Sequence, residues 1–187
     1  MRPSILVALA ALSLTPAVSW ASPNWIVDRG ASKLGFSSSF SGEAFAGSFA
    51  VWDAQITFDP KNLPGSIVMA TVEVGSARTG DPSRDEALPT SDWFSAKVYP
   101  KATFTSRSIV ATGPGRYVAN GVLSIRNVSR NVSLPFTLSI AGDTAKMAAS
   151  VPVDRGAFGV GQAQWKSGES VPLTVQVNIN VTARRVR

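Results

Sequence analysis

Acidic and basic side chains crowd into one stretch, 79–100, which reads TGDPSRDEALPTSDWFSAKVYP and holds Asp81, Arg84, Asp85, Glu86 and Asp92. Two carboxylates at a suitable separation could hydrolyse a glycosidic bond. An arginine such as Arg84 could fork onto a phosphate or carbonyl. The same residues also have a structural use. Asp81 before Pro82 starts a helix well: the carboxylate accepts from free first-turn amides, and proline is pre-set for the first helical position. The acids do not have the spacing of a calcium loop.

What the chain lacks narrows the chemistry further. Its 187 residues include no histidine and no cysteine. That removes Ser-His and Cys-His nucleophile pairs, the usual general base at neutral pH, and the commonest zinc and haem ligand. We assign no catalytic residue, no metal ligand and no covalent cofactor. The run GVGQAQ, between Phe158 and Trp165, is glycine-rich, but no helix follows it to complete a phosphate loop. The net charge is +6, from basic residues that are scattered along the chain. Nucleic-acid binding wants them clustered among exposed aromatics, so no such partner is expected.

Residues 1–21, MRPSILVALAALSLTPAVSWA, combine an early positive charge, a short apolar run and small residues before a cleavage position. That is the layout of a secretory signal peptide, and it predicts export, in a bacterial context to the periplasm. Removing those 21 of the 187 residues leaves 166, enough for one domain, 22–187, with one sizeable core. Without cysteine that domain has no disulfide to stabilise it.

The elements that must position the charged stretch are strands. In VPLTVQVNINV the apolar residues Val171, Leu173, Val175, Val177, Ile179 and Val181 alternate with polar residues or proline, giving one greasy and one wet face. VSLPFTLSI and WDAQITF show the same period, and IVMATVEV shows it less cleanly. KLGFSSSF, KATFTSRSIV, RYVANGVLSI and AKMAASVPV show it more weakly. The separators DPKNLPG, TGPG and AGDT are turn formers. About eight strands joined mostly by short turns predict an all-β antiparallel domain. Pro135 and Pro172, inside apparent strands, mark edge positions or bulges near strand starts, and glycines 35, 47, 121 and 142 fit bends and turns. Asp81 then opens a short helix that Pro89 stops, and Ser91 is placed to cap a second turn. Carrying Leu88, Trp93 and Phe94, this insert can cap one mouth of a barrel.

The stretch ARTGDPSRDEALPTSDWFSAKVYPKATFTS resembles the YceI-like family of polyisoprenoid-binding proteins. The resemblance extends through NWIVDRGASKLGFSSSF, FAGSFAVWDAQITFDP, YVANGVLSIRNVSRNVSLPF and VDRGAFGVGQAQW. It implies an extended lipocalin-like barrel whose channel holds an isoprenoid lipid, either a quinone or a polyprenyl chain. Histidines that family members often carry beside the opening aspartate, after the second strand and in the insert are absent here. The channel wall is then expected among Phe36, Phe49, Trp52, Phe58, Trp93, Phe94, Phe104, Phe136, Phe158 and Trp165. Arg84 and Asp85 either meet the head group or pin the insert. A membrane redox protein, such as a b-type cytochrome, is the partner that periplasmic quinone binding would suit, and a homodimer is a further expectation. Alternation alone leaves open whether the barrel is hollow or filled, and so whether the chain carries a lipid or serves as an adaptor.

Overall fold

The computed structural model describes residues 22–186, so the signal-peptide reading of 1–21 lies outside the described residues. Eleven strands follow in chain order. They are β1 (Asn24–Val27), β2 (Lys33–Phe40), β3 (Glu43–Phe49), β4 (Trp52–Thr57), β5 (Ile67–Glu73), β6 (Ala77–Arg78), β7 (Lys101–Gly113), β8 (Arg116–Ile125), β9 (Val128–Ala141), β10 (Thr144–Asp154) and β11 (Thr174–Arg185). Among the described residues there is one α-helix, α1 (Pro82–Ala87), between β6 and β7. All strand pairings are antiparallel, in the order β1-β4-β5-β7-β8-β9-β10-β11. A β1–β11 pairing closes that order into an eight-stranded barrel.

β11 explains why the barrel is extended. Its end, Ala183–Arg185, pairs with β1, while Gln176–Asn180 pairs with β2. β1 and β2 therefore run as two segments along the same partner. From β2 the wall continues to β3 and then β6, so a second tier of strands lengthens the tube toward α1.

Period-two alternation aims the apolar set inward on each strand. On β11 Val175, Val177, Ile179, Val181 and Ala183 face the interior. On β7 the alternation of Ala102, Phe104 and Ser106 is reset by an irregularity between Ser106 and Ser108, which brings Ile109 inward. The predicted final strand begins three residues later than its apolar pattern does. Val171 is buried, but Leu173 is 37% exposed and lies outside β11. Two glycines read as bends have another task. A Cβ at Gly47 would run into the Phe36 ring, and one at Gly121 into the Phe104 ring and the Thr105 carbonyl, so both make room for aromatic side chains.

The wall has one seam. β9 and β10 pair only from Thr144–Ala141 to Ala148–Thr137. Beyond that point β9 stays with β8 and β10 stays with β11. Pro135 and Pro152 lie in the two stretches that have parted, where a missing N–H costs no ladder bond.

Candidate functional site

One end of the tube is closed by packed aromatics. Trp25 Nε1 donates to the Phe58 carbonyl at 2.9 Å. Phe58 meets Tyr117 at 5.4 Å edge-on, and Tyr117 stacks on Phe136 at 5.4 Å between centroids. Guanidinium groups cover the outside, Arg185 over Trp25 and Arg29 over Trp52.

The opposite end is covered by the charged stretch. Asp81 caps α1, accepting from the Arg84 amide at 2.9 Å. Asp85 reaches back to accept from the Thr79 amide at 2.6 Å and the Thr79 hydroxyl at 2.8 Å. These bonds to Thr79, the backbone one foremost, hold the Asp85 carboxyl below its ordinary pKa. The second helical turn expected at Ser91 does not form. Residues 88–99 are instead a chain of turns, with the Phe94 amide donating to the Leu88 carbonyl at 3.0 Å and Ser95 at φ +50°. Pro89 starves a helix of a donor there. Arg126 pins this cap, donating at 2.6 Å to the carbonyls of Trp93 and Gly159 alike.

Arg155 organises the loop beside the cap. It is 4% exposed and donates to five backbone carbonyls, those of Pro172, Val160, Gly161, Trp165 and Val171. Burial lowers its pKa, an effect partly offset by Asp154, but an arginine stays charged at working pH. Its guanidinium lies 5.3 Å from the centre of the Trp93 ring. Gly161, at φ +80°, lets the backbone pass close beneath it, which is the work of the glycine-rich run.

Between the two ends runs a cavity of about 970 Å³. The interior is hollow, which decides the point that alternation leaves open. All ten aromatics named from the sequence line it. Trp52, Phe58 and Phe136 belong to one packed cluster with Trp25, and Phe104 packs against it, all four on or beside the barrel strands. Phe36 and Phe49, 5.3 Å apart, continue to Phe94 in the cap at 5.9 Å from Phe49. Trp93 and Trp165, 5.5 Å apart, stand with Phe158 by the loop that Arg155 holds. Arg84 also lines the cavity, whereas Asp85 does not and serves to pin the insert.

The sequence reading missed several lining residues. Trp25 and Phe45 belong to β1 and β3, short strands whose small neighbours dilute the pattern. Ser38 had a visible signal. In KLGFSSSF it occupies the inward frame of Leu34, Phe36 and Phe40, all of which line the cavity.

The YceI-like domain matches residues 25–183 of this chain. The chain belongs to the YceI-like family. Among solved relatives of this YceI-like chain is BcnA of Burkholderia cenocepacia, 32% identical, with a TM-score of 0.81 over 83% of this chain and 98% of that one. A polyisoprenoid binding domain from Saccharophagus degradans shares the fold at 13% identity, with a TM-score of 0.69 over 87% of this chain and 98% of that one. Protein YceI of Escherichia coli O157:H7 is 34% identical over 97 residues, 52% of this chain and 50% of its own length. The matched stretch thus spans about half of that curated relative. The lipocalin-like barrel is the architecture that the resemblance in sequence implies, and the short helix over one end is the one that Asp81 and Pro82 predict.

Proposed function

We propose that this protein binds and carries an isoprenoid lipid, a quinone or a polyprenyl chain, inside its barrel, and that it does so in the periplasm after loss of residues 1–21. The observation that carries this reading is the continuous cavity of about 970 Å³ with its almost wholly apolar wall. A greasy space of that size, lined from the Trp25 end to the cap, favours a greasy occupant, since each buried methylene is worth about 0.8 kcal/mol. The polyisoprenoid binding domain of Saccharophagus degradans shares the barrel, which supports a prenyl chain as that occupant.

Catalysis has no part in this reading. Asp81 and Asp85 are engaged in holding α1, which is a sufficient use for them. A quinone cargo would suit a membrane redox protein, such as a b-type cytochrome, as the partner that gives or takes it, and a homodimer would suit a carrier that exchanges cargo at a membrane.

Tail length tests the proposal. If each carbon takes the ~30 Å³ of a water's share of liquid volume, a cavity of about 970 Å³ holds about 30 carbons, or about six five-carbon units. Ligand-stripped protein titrated with prenyl chains of increasing length should bind each more tightly than the last, until affinity levels near that length. Affinity independent of tail length, or no binding at any length, would refute it.

A further inference from the structure

Three buried side-chain polar atoms have no hydrogen-bond partner among the described residues: Ser38 Oγ, Arg84 Nε and Trp93 Nε1. All three belong to residues that line the cavity. They also gather at the capped end. Arg84 lies over the Phe45 ring at 4.9 Å, and Phe45 is the β3 residue paired with Ser38 on β2. Phe40, two residues on from Ser38, contacts Trp165 at 6.1 Å, and Trp165 contacts Trp93 at 5.5 Å. The closed end contrasts with this: its indole Trp25 Nε1 has a carbonyl partner.

A buried donor left unpaired costs about 1–3 kcal/mol, so native proteins leave few, and three around one apolar cavity call for a common partner. Trp93 Nε1 and Arg84 Nε can only donate, and the Ser38 hydroxyl can do so too. The missing partner is therefore an acceptor. Its charge can be read from the cations nearby. The Arg84 guanidinium already faces the Asp81 carboxylate at 3.5 Å, and Asp81 itself lines the cavity. Arg155 has committed its donors to five carbonyls. Arg130, the remaining lining cation, reaches toward the Ala157 carbonyl at 3.4 Å, on the seam side of β9. A phosphate under the cap would meet a carboxylate and no free cation.

Resting on the carrier reading, we propose that Ser38, Arg84 and Trp93 form a head-group site for an uncharged acceptor, a carbonyl-type oxygen. The ligand then lies with its head under α1 and its tail toward Trp25 and Phe58. The site fixes orientation and selects a ketone- or quinone-like head over a bare hydrocarbon or a phosphate.

The test holds the tail constant and varies the head. Ligand-stripped full-domain protein is titrated with prenyl chains of one length ending in a hydrocarbon, a methyl ketone or a monophosphate. The ketone should bind at least tenfold more tightly than the hydrocarbon, and the phosphate no more tightly than the ketone. Trp93→Phe keeps a ring against Trp165 and removes the N–H, and Ser38→Ala removes the hydroxyl. Each should weaken the ketone about three- to tenfold more than it weakens the hydrocarbon. Equal losses for both ligands, or a phosphate that binds tightest, would overturn the site while leaving the carrier reading intact. Failure of the hydrocarbon as well as the other two to bind wild-type protein would overturn the carrier reading and this site with it.

Discussion

Val177→Phe separates a hollow barrel from a filled one by the sign of its effect. Val177 points into the cavity from β11, between Phe36 on β2 and Val151 on β10. Phenylalanine carries about four more carbons than valine, and in a filled core such overpacking costs about 1–3 kcal/mol. In a cavity of about 970 Å³ the ring has room. It buries surface that valine leaves uncovered, so the ligand-free protein should be as stable as wild type or more so. The same ring removes space for about four ligand carbons, worth about 3 kcal/mol in all, or roughly 100-fold in affinity for a tail that fills the cavity. Urea unfolding of stripped protein reads the first effect, and lipid titration reads the second. A variant destabilised by overpacking, with lipid affinity unchanged, would refute the reasoning.

Further expectations follow from other parts of the wall and cap. Gly121→Ala drives a Cβ into the Thr105 carbonyl and the Phe104 ring, and should lower the urea midpoint by an amount equivalent to about 1–3 kcal/mol. Arg155→Lys offers three donors to five carbonyls, so it should cost about 2–5 kcal/mol in thermal unfolding and speed hydrogen exchange across 156–171. Asp85 has a lowered native pKa, so its contribution is full above the ordinary carboxylate value of about 3.9 and is lost as pH falls through the native value. Hydrogen-exchange protection of 79–99, taken relative to the intrinsic rate at each pH, should therefore fall on acidification below about pH 4, and Asp85→Asn should remove that step.

The fold was legible because one physical rule, alternation against an apolar interior, runs through most of the chain. It failed where small residues blur the pattern, as in EAFAGSF of β3, and where it outran the strand, as at Leu173. Pro135, which in sequence marks an edge, lies where β9 parts from β10. Hollowness was not legible, because an inward face looks the same whether it touches a facing side chain or a void. The cap's helix start could be read from Asp81 and Pro82, but its later turns depend on long-range ties such as Arg126 to Trp93 and Gly159. The polar end of the cavity was half legible. Ser38 breaks the greasy frame of its strand in plain view, whereas the lack of partners for Arg84 Nε and Trp93 Nε1 appears only when the neighbours are in place.

Mass spectrometry of an organic extract tests the central claim most directly, using protein purified without detergent from cells that express the full sequence. The account predicts a prenyl lipid at close to one per chain, lost in the Val177→Phe variant. Protein that yields no lipid, and stays empty when quinones and polyprenols are supplied, would contradict it.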